Sequence, residues 1–393
     1  MKPLRVLMLS DVYFPRVNGV STSIETFRRC LLKHAVETTV IAPRYGSEPD
    51  EDGIVRIAGR PVPRDPEDRI VSWRALRNAA QRLAPAHDLV HVQTPFLAHY
   101  AGVAAARKQG LPCVLTYHTL FEEYLQHYIP FAPGRGLRAL ARRISRSQCE
   151  AVDAVIVPSS AMRDRLADYG VRSPMQVLPT GIPLARFDQR DDGAFRKRHD
   201  LPLFAPLGLF VGRVAHEKNI GFLLQVTRHL MRSHPDFILL IAGEGPARES
   251  LSREAKAAGI ASNVRFIGYI DREHELPQCY AAADVFMFSS RTETQGLVLI
   301  EAMACGLPVV ALAEMGTRDI LNSNRGALTP AAEIETFAQA VASLIDNPER
   351  RRQLSAEARE YSLEWSDAAM AARLADLYRA CLTAEAGAQS PIR

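Results

Sequence analysis

The chain has 393 residues, 47% hydrophobic and 23% charged, a composition that excludes a disordered or fibrous chain and leaves room for two domains. Forty-eight Lys and Arg against 44 Asp and Glu give a net charge of +4, too small to identify a nucleic-acid or membrane partner without clustering. Six cysteines with no C-x-x-C pair exclude a disulfide scaffold and read as buried thiols of a reducing compartment. No stretch approaches the roughly 18 apolar residues of a membrane span. The apolar run near the N-terminus covers five or six residues, too short for a secretory signal, so a cytoplasmic protein is expected.

In chain order, residues 5–10 read as a strand apolar on both faces. A loop over 11–19 leads to a helix over 20–33, with Ser21 or Thr22 as cap, and a second strand covers 36–43. Residues 45–52 form an acidic surface loop holding the one D-x-D, Asp50-Glu51-Asp52. Short strands over 54–62, a helix over 72–83, strands at 88–93, 112–117, 154–158 and 175–179, and helices between them follow. Residues 181–203 are polar and charged and read as a linker. The same alternation then restarts at 207, and a final helix from 366 carries an apolar stripe of Met370, Leu374, Leu377 and Cys381. The last residues, AGAQSPIR, read as a disordered tail. Alternating strands and helices predict parallel βαβ units. The fold class expected is α/β, two doubly wound Rossmann-like domains facing across a cleft, with ligands at the carboxyl ends of the strands.

The densest signal is SSRTETQGLVLIEAMACGLPVVA, residues 289–311. It predicts a polar turn closed by Gly296, a helix from Leu297 and a buried strand. A helix N-terminus suits a phosphate. Glu293 before the helix and Glu301 inside it would accept hydrogen bonds from hydroxyls on either side of that anion. One anion site between two hydroxyl acceptors matches a nucleotide sugar. Arg213 and Lys218, in the loop VGRVAHEKN after a strand, are positioned to clamp a diphosphate and stabilise it as a leaving group; a solvated basic loop fits those residues equally well. Gly243, in A-G-E-G-P, allows close backbone approach, and the loop at Tyr269 and Ile270 is a candidate for the base. In the first half, Gly19 and Val20 start a helix whose backbone would approach the donor phosphates, and a plain turn explains them nearly as well. His118 ends a strand beside the expected cleft, where it would hydrogen-bond the donor sugar or orient the acceptor; His91 reads as a satisfied core residue. Arg135, Arg138, Arg142, Arg143 and Arg146 recur at helical spacing with no acid between them, just after Tyr124 and other aromatics. They suit either a solvated face or an anionic bilayer. No Cys/His cluster has metal-ligand spacing, and no aromatic strand platform indicates nucleic acid.

The succession G-R-x-x-x-x-K-N, G-x-G-P and E-T-x-G-L-x-x-x-E-A-M-A-x-G-x-P-V resembles the retaining family 4 glycosyltransferases of GT-B fold, over nearly the whole chain. The resemblance implies that Arg213 and Lys218 hold the diphosphate, Glu301 the ribose and Glu293 the transferred sugar. Gly19, Gly296 and Leu297 would face phosphates and sugar, and His118 falls at an active-site histidine. Thr294 and Gln295 belong to the same donor loop, and Gln295 departs from the Phe common there, which touches the donor sugar's surroundings. The resemblance implies no metal or other cofactor, and a last helix that crosses back to the first domain. The segments PRVNGVSTSIETFR, HVQTPF and TYHTLFEEY resemble diacylglycerol glucosyltransferases and, next, phosphatidylinositol mannosyltransferases, which are peripheral membrane enzymes.

The domains expected are an acceptor domain over 1–180, the linker 181–203, a nucleotide-sugar domain over 204–365 and the returning helix 366–385. The expected activity is transfer of a hexose, from UDP-glucose first, to a lipid hydroxyl such as that of diacylglycerol at an anionic membrane surface, with front-face retention. GDP-mannose as donor, a soluble or polysaccharide acceptor, a non-catalytic nucleotide-sugar-binding module and a nucleotide-dependent epimerase are the alternatives. No nucleic-acid partner is expected, and the protein would be a monomer or weak dimer on the inner face of the membrane.

Overall fold

The structure, a computed structural model, describes residues 2–62, 65–118, 134–188 and 193–388. The chain divides into two compact units: residues up to Gly181 with those from Asp367 on, and Ile182–Ser366.

The first unit opens with β1 (Leu4–Leu9), α1 (Gly19–Leu31), β2 (Val36–Arg44), β3 (Ile54–Val62) and β4 (Asp65–Val71). It continues with α2 (Trp73–Leu83), β5 (Leu89–Val92), α3 (Leu97–Gln109), β6 (Cys113–Thr116), α4 (Gly134–Cys149), β7 (Ala154–Val157), α5 (Ser160–Asp168) and β8 (Met175–Val177). Its sheet runs β4-β3-β2-β1-β5-β6-β7-β8 and is parallel except for the β3/β4 pair. Successive residues of β1 alternate between two cores: Leu7 and Leu9 join one apolar cluster, Val6 and Met8 the other. Such two-sided burial is what an uninterrupted apolar strand requires. The cap of α1 is Asn18, whose side chain accepts from the Ser21 backbone N–H, three positions ahead of Ser21 and four ahead of Thr22, the caps expected. β4 carries no strand signal in the sequence, because its residues are mostly charged and polar.

The second unit contains α6 (Ala194–Arg198), β9 (Leu207–Val211), α7 (Ile220–Leu230), β10 (Ile238–Ala242), α8 (Arg248–Ala257) and β11 (Val264–Gly268). After these come α9 (Glu275–Ala281), β12 (Val285–Phe288), α10 (Leu297–Ala304), β13 (Val309–Ala311), α11 (Thr317–Leu321), β14 (Ala327–Leu328), α12 (Ile334–Ile345) and α13 (Pro348–Ser362). Its parallel sheet runs β11-β10-β9-β12-β13-β14, the doubly wound order whose crevice opens where strand order reverses, between β9 and β12.

Residues 182–203 are not a free linker where the structure describes them. Ile182, Phe187, Phe195 and Leu201 are buried in the second core. The Arg196 guanidinium, itself buried, donates to the carbonyls of Ala282, Pro202 and Ala205 and pairs with Asp284 at 3.1 Å. Scattered apolar residues among many charges gave no periodicity to read, yet Arg196 cross-links the segment to the chain just before β12 and β9.

The last helix, α14 (Asp367–Ala388), belongs to the first unit and packs against α1. Met370, Leu374 and Tyr378 are almost fully buried against Val6, Met8, Ile24 and Phe27. Arg29 pairs with Asp367 at 3.1 Å. Residues 386–388, expected as tail, continue this helix. Among the described residues no helix is long and apolar enough to cross a membrane.

Candidate functional site

In the second unit the loops after β9 and β12 meet at the reversal of strand order. Ser289, at the end of β12, donates its hydroxyl to the Asn219 carbonyl at 2.9 Å, and the Asn219 amide returns a bond to the Ser289 carbonyl at 3.3 Å. Asn219 itself takes a left-handed backbone, φ 55°. This clasp brings Lys218 against Glu293, 75 positions away, as a half-buried ion pair. Gly296 closes the loop at φ 89°, where a Cβ would lie 3.0 Å from the Thr317 methyl; only glycine reaches this conformation without strain. The backbone of α10 starts there with no side-chain cap, the Leu299 N–H turning back to the Gly296 carbonyl at 3.0 Å, and a helix start of this kind suits an anion. Thr294 is half-buried, Gln295 is buried within this loop, and Leu297 and Val298 pack on the core.

Glu301 lies one turn into α10, buried, with both oxygens engaged. Tyr280 donates to Oε2 at 2.9 Å and Arg272 to Oε1 at 2.6 Å. The carboxylate holds Arg272 firmly charged, and burial with the nearby Glu301 carboxylate keeps the Tyr280 phenol protonated far above its ordinary range. Each carboxylate oxygen retains a second lone pair for a hydroxyl. Nothing in the sequence singled out Tyr280 or Arg272; their alignment with Glu301 exists only once α9 and α10 pack. Arg213, in the same loop as Lys218, is largely exposed, its guanidinium 3.9 Å from Glu217. Gly243 sits so close that a Cβ would fall 2.0 Å from the Gly212 carbonyl oxygen, which fixes the loops after β9 and β10 together. Tyr269 is exposed just past β11, and Ile270 is buried.

In the first unit strand order reverses between β1 and β5, and the polar groups gather at their carboxyl ends. Asp11, after β1, accepts from the Thr94 hydroxyl at 2.7 Å and from the Ala98 backbone N–H at 3.1 Å, at the start of α3. Burial outweighs these bonds and pushes its carboxyl up to about 6. His118 Nε2 is 3.1 Å from the Gln93 carbonyl oxygen. That oxygen only accepts, so His118 carries its proton on Nε2 and keeps a lone pair on Nδ1. Burial pushes His118 down to about 4, leaving it neutral at physiological pH. His91 is a satisfied core residue, bonded to the Tyr378 hydroxyl and the Thr116 hydroxyl, each at 2.7 Å, and pushed down to about 3 by burial and by His118. A cavity of about 550 Å³ opens here, with Asp11, Gln93, Thr94, Thr116 and His118 at its polar side. Val20 lines it, while Gly19 has open space around its missing Cβ and no positive φ; glycine is not sterically demanded there.

On α4 the side chains of Arg142, Arg143 and Arg146 are exposed. Arg142 lies over the Tyr169 ring at 5.3 Å and Arg146 pairs with Glu150 at 3.0 Å. Tyr124, and the side chains of Arg135 and Arg138, lie outside the described residues. The structure adds α2, where Arg74, Arg77 and Arg82 are exposed around the buried Leu76, Ala79 and Ala80. Among the described residues no group of His, Cys, Asp and Glu gathers at a metal-binding spacing.

Two Rossmann-like units in one chain make this a GT-B fold. The likeness extends to solved structures: the sucrose-phosphate synthase of Thermosynechococcus elongatus superposes with a TM-score of 0.74 at 22% identity, over 97% of this chain and all of that one. The Anabaena protein HepE in complex with UDP does so at 0.72 and 16%, over 96% of this chain and all of that one. At such identities the likeness speaks for the fold. In sequence, the family "Glycosyltransferase Family 4" matches residues 17–186 and "Glycosyl transferases group 1" residues 191–361. The alpha-monoglucosyldiacylglycerol synthase of Streptococcus pneumoniae is 34% identical over 78% of this chain and 71% of its own. The GDP-mannose-dependent alpha-(1-6)-phosphatidylinositol monomannoside mannosyltransferase of Mycobacterium tuberculosis is 30% identical over 95% and 98%. The chain belongs to the family 4 glycosyltransferases, and it is an enzyme of that class.

Proposed function

We propose that the protein transfers a hexose from a nucleoside diphosphate sugar to a lipid hydroxyl, with retention at the anomeric carbon. The observation that carries this is the Lys218–Glu293 pair set at the uncapped start of α10, with Glu301 one turn further in. A diphosphate at that helix start would draw Lys218 off Glu293 and free the carboxylate for sugar hydroxyls. Arg213, on an exposed and weakly paired side chain, swings to the same phosphates. Glu301 takes the ribose. The leaving diphosphate gathers negative charge as the glycosidic bond breaks, and Lys218, Arg213 and the α10 N–H groups stabilise it there, which is where electrostatic catalysis yields most. Among the described residues the side chain paired with Glu293 is Lys218, a cation and not an attacking nucleophile, which favours front-face substitution with the acceptor proton passing to the departing phosphate.

UDP-glucose is the first donor to test and GDP-mannose the second, since relatives with names for a glucosyl and for a GDP-mannose activity each match most of the chain. Both names also include a lipid, and the apolar-walled cavity with the arginine faces of α2 and α4 fits a lipid acceptor met at an anionic surface. The test is a screen of radiolabelled UDP- and GDP-sugars against a panel of diacylglycerol, phosphatidylinositol and soluble glycans, with and without EDTA. Label appearing in a lipid product, in EDTA as well as without it, is the expected result. Transfer only to soluble glycans would overturn the lipid reading.

A further inference from the structure

The first unit's cavity combines polar residues with a broad apolar wall. From the side holding Gln93, Thr116 and His118, its wall runs over Val12, Val71, Leu97, Leu115 and Ile144, supplied by four different elements and the loop after β1. Leu115 and Val71 are buried at its floor, while Ile70, Phe96 and Tyr100 at its rim are 53%, 39% and 51% exposed. These three are among eleven large hydrophobic side chains that the described residues expose; gathered at one mouth, they mark a binding surface. The charged groups on the wall are already engaged: Asp11 by Thr94 and Ala98, Asp68 by Arg16, Arg69 over the Tyr45 ring. Among the described residues every charged group on the wall already has a partner.

We infer that this cavity takes one aliphatic chain of the acceptor lipid into the protein, with the acceptor hydroxyl at the His118 end. This rests on the lipid-acceptor reading above and sharpens it: the tail is held by the enzyme and does not simply remain in the bilayer. At about 550 Å³ the volume falls within the range of small-ligand sites. The aliphatic part of the wall rewards each methylene it covers, by about fourfold in affinity per CH₂, until the cavity is full.

The test uses the whole protein without vesicles or detergent. Affinity for 1-O-alkylglycerols of rising chain length, each below its micelle threshold, is measured by calorimetry. The dissociation constant should fall about fourfold per methylene and then level off. Leu115→Phe and Ile144→Phe, which fill the cavity from two separate elements, should move the break to shorter chains, and Val71→Ala should move it to longer ones. Thermal unfolding followed through Trp73, in the first unit, reports that each variant is folded, and two filling variants guard against the loss of either. Absence of binding, a decline with no break, or a break unmoved in all variants would overturn the inference. Transfer to vesicle-embedded lipid by an enzyme that binds no alkylglycerol would sink the inference and leave the proposed function intact. The expected chain-length profile with no transfer from any sugar nucleotide would do the reverse.

Discussion

Lys218 is the residue on which the proposed chemistry depends most. Its ammonium is half-buried, paired with Glu293 and clasped by the Asn219–Ser289 bonds, so its removal subtracts charge from the diphosphate without touching a core. Lys218→Ala should lower kcat by about 10²–10³-fold, the scale of losing one preorganised electrostatic partner, while thermal unfolding stays near that of the parent. Turnover within a few-fold of the parent would refute the assignment. Gln93 is a positioning residue of a different kind, acting through His118. Gln93→Glu places a carboxylate 3.1 Å from Nε2, which favours the imidazolium. The acid limb of the kcat/KM profile should then move up from about 4 towards neutrality, with donor affinity unchanged. An unmoved limb would mean that His118 does not serve the reaction.

At the scale of elements, the two arginine-bearing helices of the first unit account for more than the net charge suggests. Arg74, Arg77 and Arg82 on α2 and Arg143 on α4 make no ion pair among the described residues. Apolar side chains anchor both helices from beneath: Leu76 under α2, Ala141 under α4. A basic residue near an anionic bilayer contributes about 1 kcal/mol. Replacing Arg74, Arg77 and Arg143 together by Glu should therefore weaken sedimentation with phosphatidylglycerol vesicles by at least about 100-fold. Binding of the parent should also fall as salt rises. Equal binding by the triple variant would assign these faces to solvent. Neither helix requires the membrane for its own packing, so the fold of the variant is not at risk.

For the whole molecule, the returning helix makes the chain's end part of its beginning. Tyr378 reaches His91, and His91 lies beside the residues that hold His118, so the proposed acceptor pocket rests on residues nearly 290 positions apart. The same buried polar cluster makes the first unit acid-sensitive. Burial pushes His91, His99 and His118 down to about 3, 4 and 4. Their neutral forms stabilise the fold fully above the unfolded value near 6.5, and that stability is lost as pH falls. Asp11, pushed up to about 6, runs the other way, since the folded state keeps a proton that the unfolded chain releases. Between pH 5 and 6 the net is about two protons bound on unfolding, which costs about 2–3 kcal/mol per pH unit on acidification. Urea unfolding followed through Trp73, with Trp365→Phe removing the other tryptophan, should show that slope, and a flat profile would contradict it.

Much of this protein is legible from its residues in order. Uninterrupted apolar strands alternating with helices are the physical signature of parallel sheets covered on both faces, and the α/β class follows from them. Glu293, Gly296 and Glu301 are near neighbours in sequence, so local periodicity alone sets them at a loop and a helix start. Residues 182–203 and β4 escaped that reading because their burial and pairing depend on partners far along the chain: Ala282 and Asp284 for Arg196, β3 for the charged strand. The same holds for the Lys218–Glu293 pair, for Tyr280 and Arg272 on Glu301, and for Gln93 between His91 and His118. Which apolar residues would enclose a cavity, and which would merely fill a core, was decided only by tertiary packing, because a side chain's neighbours across four elements carry no trace in the spacing of its own.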